Sequence, residues 1–544
     1  MEGASGAHHR DPFKSSVGRV AGQRRRQQAV TVGKERRESV VRAKRLRRAD
    51  PSDHGDDGSM QPAVMGDEAA YKALEESTVN AVHNLKNLLK GSPAKRIGAL
   101  QTLRHLLSCT AMPPVHVAIE AGVVTLLVDC LAFGSSEEQL FEAAWCLTNI
   151  ASGDLQQTRA VEPALPLLIL HLGEKSAVHV VEQCAWAIGN VAGDGEVFRD
   201  VLLKQGALHS LSRHLLSPVP SLSRTAAWAL SNLIKGPSPK AAMELMKIEG
   251  MVDTLVSHVS KGEEDLVVEV AWVLVYVTSM SDLHVTLLLN AGLLPPLLGC
   301  LASSEQLSLL TPVLRTLGNI VAGDNSKTDV VLSVGQSLPG GIIGVLARCL
   351  ESKHRTLQKE AAWAVSNIAA GSILQKHTVF NGGVVPPLLH LLATAVFDVR
   401  KESAYCLGNL CVAPKESREQ GGIILEHLIA LVDGGCLPGF IALVRSPDVE
   451  AARLGLQFLE LVMRGLPNGR GPKIVEKEDG ISALEELQFH ENDELQTMSN
   501  TLIDRYFGEE YGLEEEYGPG MDVLRGSDDS SDYPPWRQGG GLTA

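Results

Sequence analysis

The stretch EAAWCLTNIASG at residues 142–153 decides the fold, because close copies of it recur along the chain. In each close copy an Asn follows a Trp by four positions, and the copies are QCAWAIGNVAG at 183–193, TAAWALSNLIKG at 225–236 and EAAWAVSNIAAG at 360–371. Three degenerate copies complete the series: EVAWVLVYVTS with Trp272 and Tyr276, PVLRTLGNIVAG with Arg315 and Asn319, and ESAYCLGNLCVA with Tyr405 and Asn409. One helical phrase is therefore repeated along most of the chain.

The spacing of these copies indicates the architecture. The Trp position falls at residues 145, 186, 228, 272, 315, 363 and 405, with steps of 41, 42, 44, 43, 48 and 42 residues. Helical HEAT and armadillo units have a period of about 40–47 residues. We therefore predict an all-α protein, a right-handed armadillo-repeat α-solenoid of about ten repeats with a flexible basic N-terminal arm. Because a solenoid is one continuous stack, the length of 544 residues does not require several separate domains.

Each later repeat opens with a glycine and an apolar run, as in EAGVVTLLVDCL from residue 120 and KQGALHSLSRHLL from residue 204. Glycine adopts the left-handed conformation without steric cost, so each is predicted to end the preceding long helix. The apolar run then forms the next helix, and the Trp–Asn helix follows. Two irregular insertions are predicted, a loop containing SVGQSLPGG and the segment KESREQGGIILEHL at 415–428.

The Trp and Asn of each copy share one helical face, since residues four apart lie one turn apart. Ala144, Cys146, Leu147 and Ile150 lie mostly on other faces and suit a core. Two interpretations follow for the pairs. In the first, each Asn satisfies backbone groups at a helix end while each Trp fills a gap between repeats. In the second, the pairs form a solvent-open ladder that binds a ligand. The recurrence in four full copies favours the second.

A Trp–Asn ladder has the chemistry to bind an extended basic peptide. The amide can hold both polar groups of a peptide unit, and an indole face accepts the stem and charge of Lys or Arg. Acidic residues lie nearby, because Asp194 follows one pair and Glu269, Glu360 and Glu402 each precede a Trp or Tyr position by three residues. Arg315 would disfavour cations, so the ladder divides into a stretch at 145–232 and another at 363–409.

The charge distribution supports a basic ligand for the body of the chain. Residues 1–50 contain 14 Lys/Arg and 5 Asp/Glu, a net +9, which leaves −23 for the remainder of a chain whose net charge is −14. A basic arm on an acidic body argues against nucleic acid as the ligand of the body. It favours basic peptides in the groove and an acidic partner for the arm.

These motifs, together with the ending HENDELQTMSNTLIDRYFG, resemble the importin alpha family of nuclear-import adaptors over roughly residues 13–511. The resemblance implies a major site for nuclear localisation signals that comprises Trp145, Asn149, Gly153, Thr158, Trp186, Asn190, Asp194, Trp228, Asn232 and Glu269. It implies a minor site that comprises Tyr276, Arg315, Asn319, Glu360, Trp363, Asn367, Glu402, Tyr405 and Asn409. Typical members have Trp where this chain has Tyr405, so a weaker minor site is expected.

The resemblance also assigns roles to the ends of the chain. Residues 1–60 are expected to be an importin-beta-binding arm, 61–77 a linker, 78–511 the solenoid and 512–544 a disordered acidic tail. The arm's basic residues are Arg24, Arg25, Arg26, Arg36, Arg37, Lys44, Arg45, Arg47 and Arg48. Because KRLRR at 44–48 has the composition of a cargo signal, we expect the arm to compete for the chain's own groove. The C-terminal repeats are expected to bind the exporter that returns the adaptor from the nucleus to the cytoplasm.

Other classes of function have little support in the sequence. No H-E-x-x-H, paired C-x-x-C, Walker loop or G-x-S-x-G occurs, so neither an enzyme nor a metal or cofactor site is predicted. The longest apolar runs, such as ALPLLIL at 164–170, fall far short of the ~20 residues that span a bilayer. The alternative is another armadillo scaffold, for adhesion or ubiquitin transfer, although that class usually lacks a Trp–Asn ladder and a basic arm.

Overall fold

The computed structural model of the protein describes residues 68–508, except 111, 174, 237 and 414–420. The predicted arm at 1–60 and tail at 512–544 lie outside the described residues. The regular elements of the described ranges are all helical, which confirms the all-α prediction. The described chain falls into two compact units, residues 68–293 and 294–508.

The first unit consists of long helices that are mostly separated by two shorter ones. They are α1 (Glu68–Leu88), α2 (Pro93–Leu106), α3 (Val115–Glu120), α4 (Val123–Cys130), α5 (Glu137–Ile150), α6 (Leu155–Ala160), α7 (Leu165–Leu170), α8 (Val178–Asp194), α9 (Glu196–Lys204), α10 (Ala207–Ser212), α11 (Pro220–Ile234), α12 (Lys240–Lys247), α13 (Met251–Lys261), α14 (Glu264–Met280) and α15 (Asp282–Asn290). The long helices α2, α5, α8, α11 and α14 pack on one another in chain order. They place one copy of the repeated phrase beside the next.

The second unit follows the same plan. Its helices are α16 (Leu294–Ser303), α17 (Leu307–Val321), α18 (Asn325–Gly335), α19 (Gly341–Leu350), α20 (Arg355–Ala369), α21 (Ile373–Asn381), α22 (Val385–Thr394), α23 (Phe397–Leu410), α24 (Gly421–Asp433), α25 (Leu437–Val444), α26 (Val449–Gly465), α27 (Arg470–Lys477), α28 (Gly480–Leu487) and α29 (Asp493–Phe507). Here α17, α20 and α23 pack in sequence.

Each full repeat contains three helices rather than the two expected from the sequence. A short helix such as α6 or α9 separates the Trp–Asn helix from the glycine that opens the next apolar run. The predicted turn itself is confirmed, since Gly122 and Gly206 have φ of 81° and 84°. These glycines therefore end the short helix and not the long one. Six residues, as in α6, are too few to show a helical period, which is why the short helix was missed.

Two boundaries differ from expectation, and one predicted loop is confirmed. The first helix begins at Glu68 and not near Thr78, so residues 68–77, expected as linker, are helical. Their sequence, EAAYKALEES, consists mainly of strong helix formers. The predicted loop around SVGQSLPGG is confirmed at residues 336–340, which lie between the end of α18 at Gly335 and the start of α19 at Gly341. The predicted irregular segment at 415–428 is helical from Gly421 onward.

The core lies between the helix layers and consists of small and medium apolar side chains. Ala144, Cys146, Leu147 and Ile150 are fully buried, as predicted. Most cysteines share this environment, although Cys109 is exposed. Burial raises the pKa of Cys130 to about 11. These buried thiols are therefore protonated at neutral pH and act as small apolar core residues.

A row of histidines also joins neighbouring repeats of the first unit. The Nε2 atoms of His171, His214 and His258 lie 2.7, 2.7 and 2.6 Å from the carbonyl oxygens of Leu131, Leu172 and Leu215 respectively. Because a carbonyl oxygen only accepts, each Nε2 must carry the proton. Each histidine therefore bonds the equivalent turn of the preceding repeat, a regularity that lies outside the repeated Trp–Asn phrase.

Candidate peptide-binding ladders

The three complete Trp–Asn pairs of the first unit lie on α5, α8 and α11, and we call them the first ladder. They are Trp145 with Asn149, Trp186 with Asn190, and Trp228 with Asn232. Because these helices pack side by side in chain order, the pairs follow one another along one row. The structure therefore brings together the residues that the repeat predicted would be neighbours.

The amides of this row bond backbone groups of the preceding repeat. The Nδ2 atom of Asn190 donates to the carbonyl oxygen of Thr148 at 3.1 Å, and that of Asn232 donates to Gly189 at 3.2 Å. Asn149 makes the same contact with Arg104 at 3.5 Å. The interpretation that each Asn bonds a backbone group is thus confirmed for one N–H of each side-chain amide. An amide carries three hydrogen-bonding groups, so this bond does not by itself exclude a ligand.

The expectation that the pairs lie open to solvent is wrong for most of them. Asn190 is 0% exposed and Trp228 is 6% exposed, whereas Trp145 and Trp186 are half-buried. The rings of Trp186 and Trp228 meet edge to face, with centroids 6.3 Å apart. A cationic side chain would therefore lie on an exposed indole edge or face, not between two parallel indoles.

A glycine provides the space for two of the buried indoles. A Cβ atom at Gly189 would lie 2.2 Å from the Cζ3 atom of Trp228, far inside van der Waals contact. The same relation holds in the second unit between Gly318 and Trp363, at 2.0 Å. Both glycines immediately precede the Asn of their own repeat, so at these two repeats the indole of the next repeat packs beside the sequence GN.

Gly189→Ala is therefore expected to displace Trp228 and to lower the free energy of unfolding by about 1–3 kcal/mol, the usual cost of overpacking a core. Urea denaturation followed by circular dichroism measures this. The matched control is Gly98→Ala in α2, where a new Cβ meets nothing within 4 Å. Because alanine favours helix, the control is expected to be neutral or to stabilise by up to about 1 kcal/mol. Equal losses in the two variants would contradict this packing role.

The remaining residues predicted for the major site lie around this row. Thr158 is fully buried on α6, and its hydroxyl donates to the carbonyl oxygen of Ala151 at 3.4 Å. Gly153 is half-buried, and Asp194 is half-buried at the last residue of α8. Glu269 is half-buried on α14. Thr158 therefore closes the end of α5, while the two carboxylates are the better placed to attract a cation.

We call the Trp–Asn row of the second unit, Trp363 with Asn367 and Tyr405 with Asn409, the second ladder. The amide of Asn367 donates to Gly318 at 3.1 Å, and that of Asn409 donates to Ser366 at 3.0 Å. The backbone contacts of the first ladder are thus repeated. All four side chains are buried.

The other residues predicted for the minor site lie on neighbouring helices. Asn319 is also buried on α17, whereas Glu402 is half-buried on α23. Tyr276, predicted for the minor site, lies in the first unit on α14.

Arg315 occupies the Trp position of α17 and is paired with an acid of the next repeat. Its Nη2 donates to Oε1 of Glu360 on α20. Both side chains are 8% exposed. Glu360 was predicted to attract cargo cations, but this buried ion pair uses its carboxylate within the protein.

Tyr405 replaces an indole by a phenol that bonds the following repeat. Its hydroxyl donates to Oε1 of Glu450 at 2.7 Å. Lys401, one turn earlier, bonds Glu450 Oε2 at 2.9 Å and Asp448 Oδ1 at 2.7 Å. A cation of the protein therefore already neutralises the acids beside this position, which is consistent with the prediction of a weaker minor site.

Three residues that the repeated phrase did not predict contact the first ladder. Arg104 and Glu142 form an ion pair at Trp145, with Nε and Oε2 2.6 Å apart. Lys235, which is buried, donates from Nζ to Oδ1 of Asn232 at 3.0 Å. The repeat contained a signal for Arg104, which precedes Trp145 by 41 residues, the spacing between Trp145 and Trp186. The Trp position of the first repeat is thus occupied by arginine.

The described ranges contain no single helix long and apolar enough to cross a membrane, although two sharply bent pairs of consecutive helices meet the length and composition required.

Comparison with known proteins relates this arrangement to a family. The armadillo/beta-catenin-like repeat family matches residues 111–152, 197–235, 341–370 and 373–412, and an atypical Arm repeat matches 473–520. The chain is 55% identical to importin subunit alpha-9 of Arabidopsis thaliana, over 94% of this chain and 99% of that protein. It is 53% identical to importin subunit alpha-2 of Oryza sativa subsp. japonica, over 93% and 97% respectively.

A solved structure is also similar in fold. An engineered protein of known crystal structure is 24% identical, with a TM-score of 0.67 over 78% of this chain and 98% of its own. Together with the repeat matches, this confirms the predicted armadillo-repeat α-solenoid.

Proposed function

The chain belongs to the importin alpha family, and from this premise we propose that it binds basic nuclear localisation signals and links them to importin beta. The family membership and the armadillo repeats support the role of nuclear-import adaptor rather than enzyme. In this proposal the first ladder is the major signal site and the second ladder, with Arg315, is the minor one. The protein would move between cytoplasm and nucleus with its cargo.

The regular placement of one indole and one fixed amide on each successive long helix carries the proposal. Each amide is already oriented by its bond to the preceding repeat, so a peptide would not have to order it on binding. Helices pack about 8–10 Å apart, so three repeats extend over roughly 30 Å. An extended chain covers that distance in about ten residues. The ladder therefore matches a short, stretched peptide in length and chemistry.

The partners are proposed from the two ends of the chain. Residues 13–50, which are strongly basic, would dock on importin beta by charge pairing, and KRLRR at 44–48 would compete with cargo in the first ladder. The C-terminal repeats, α25 to α29, would take part in binding the nuclear exporter.

Two binding experiments test this function. A lysine-rich peptide should bind residues 61–544, and residues 1–60 fused to a carrier should retain importin beta in a pull-down. Failure of the lysine-rich peptide to bind would favour another armadillo scaffold over an import adaptor.

Asp194→Lys is expected to weaken peptide binding by ~2 kcal/mol or more, because a cation replaces a half-buried charge partner at the edge of the first ladder. Isothermal titration with a lysine-rich peptide measures the change. The matched control is Asp200→Lys, which alters the net charge equally on the exposed surface of α9. Screening by salt limits the effect of an exposed charge, so the control should change affinity by less than about 0.5 kcal/mol. If Asp194→Lys bound the peptide as tightly as the wild type does, Asp194 would not be part of the site.

A further inference from the structure

Thr148 lies on α5 directly before Asn149, and it bonds α8 on both sides of Trp186. Its hydroxyl oxygen accepts a hydrogen bond from Nε2 of Gln183 at 2.8 Å, and its backbone carbonyl accepts one from Nδ2 of Asn190 at 3.1 Å. Gln183 precedes Trp186 by three residues and Asn190 follows it by four, so both lie on the face of α8 that carries the indole. One residue of the preceding repeat thus holds the helix on either side of the central indole of the first ladder.

The size of the residue at this position varies along the chain, and the burial of the next aromatic ring varies with it. We call the residue directly before the Asn of each pair its spacer. Where the spacer is glycine or serine, the aromatic ring of the following repeat is buried, as in Gly189 with Trp228, Ser231 with Trp272, Gly318 with Trp363, and Ser366 with Tyr405. Where the spacer is Thr148, the ring that follows is Trp186, which is only half-buried. The largest of these five spacers therefore precedes the most exposed ring.

The close packing of spacer and ring gives the physical reason. A Cβ atom at Gly189 would lie 2.2 Å from Cζ3 of Trp228, so that ring fills the space which a larger spacer would occupy. Threonine is β-branched and places two heavy atoms on its Cβ. Thr148 is 5% exposed and its hydroxyl donates to the carbonyl oxygen of Ala144 at 2.9 Å, so its side chain is held inside the packing and does not turn out to solvent. The indole of Trp186 therefore cannot enter this space as Trp228 does.

We propose that Thr148 is a positioning residue for peptide recognition, because the size of its side chain keeps the indole of Trp186 at the surface of the first ladder. The indole surface offered to a lysine or arginine side chain is then set from the preceding repeat, by a residue that acts through Trp186. The role in recognition rests on the proposed function. The depth of the indole is a property of the protein without peptide, so it can be measured separately.

Hydroxyl-radical footprinting read by mass spectrometry measures that depth, because the oxidation rate of a Trp side chain follows its exposure to solvent. The full chain is used with alanine at the four basic residues of 44–48, so that the arm does not cover the ladder. Thr148→Gly and Thr148→Ser are expected to lower the oxidation rate of Trp186 to that of Trp228, while Trp145 keeps its rate. Thr148→Val keeps the size and loses the hydroxyl, so it should retain the wild-type rate. Loss of folding would instead raise the rates of all three indoles.

Peptide affinity is measured on the same proteins by fluorescence anisotropy with a lysine-rich peptide. Thr148→Gly and Thr148→Ser should weaken binding about tenfold, roughly the effect of one cation–π contact, whereas Thr148→Val should stay close to the wild type. An unchanged oxidation rate of Trp186 in Thr148→Gly, or a rate in Thr148→Val as low as in Thr148→Ser, would overturn this inference whether or not the peptide binds. A lowered rate with unchanged affinity would overturn the role in recognition. Failure of the peptide to bind the wild type would overturn the proposed function.

Discussion

Replacing Trp186 and Asn190 together by alanine is expected to weaken binding of a lysine-rich peptide by at least about 100-fold, which corresponds to roughly 3 kcal/mol. Both side chains lie in the central pair of the first ladder, and Trp186 is also the edge-to-face partner of Trp228. The change removes an indole face for a cation and an amide for the peptide backbone, and central aromatic residues of this kind dominate binding energies. Isothermal titration with residues 61–544 measures the loss.

The stability of this double variant must be separated from its binding. Asn190 is fully buried and bonds Thr148, so its removal is expected to cost about 1–3 kcal/mol of folding free energy as well. Leu168→Ala in α7, the middle helix of the same repeat, removes a fully buried side chain at a cost of about 2–5 kcal/mol and leaves every Trp and Asn of the ladder in place. The control should retain peptide affinity within about twofold. If it lost affinity as severely as the double variant, the loss would reflect folding and not recognition.

Deleting residues 1–60 is expected to raise the affinity for a lysine-rich peptide by about 100-fold. A tethered segment has an effective concentration of about 1 mM, so an internal signal with a dissociation constant of about 10 μM would occupy its groove about 99% of the time. The segment in question is KRLRR at 44–48. Titrating the full chain and residues 61–544 with the same peptide measures the difference.

Alanine substitutions in the arm and the addition of importin beta test the autoinhibition further. In the full chain, alanine at Lys44, Arg45, Arg47 and Arg48 should reproduce most of the gain, whereas alanine at Arg24, Arg25 and Arg26 should not. Importin beta, by binding the arm, should raise the peptide affinity of the full chain and leave residues 61–544 unchanged. Equal peptide affinities with and without the arm would exclude autoinhibition.

The sequence was sufficient to predict the features that repeat. The spacing of Trp145, Trp186 and Trp228 predicted the long helices that pack in order, and the opening glycines predicted turns such as that at Gly122. The Trp spacing and the opening glycines are both local patterns that recur. A single chain therefore contains several independent copies of each pattern. The assignment of the residues to the two binding sites stays a prediction.

The features that the sequence did not reveal depend on contacts between repeats. The bond from Asn190 to Thr148 joins residues 42 positions apart, and nothing within one helix indicates it. For the same reason the burial of Trp228 against Gly189 and the stacking of Arg104 on Trp145 became visible only when the helices were packed. From the sequence, the recurrence of the Trp–Asn pairs favoured a ligand-binding role for their amides. In the structure they also join neighbouring repeats, so the same row contributes to folding and is proposed to contribute to recognition.

The most direct test of the central claim is a crystal structure of residues 61–544 with a lysine-rich peptide. The account predicts an extended peptide along α5, α8 and α11, with its backbone bonded to Asn149, Asn190 and Asn232 and its lysine side chains on Trp186 and Trp228. A peptide bound elsewhere, with these five side chains contacting only the protein itself, would contradict it.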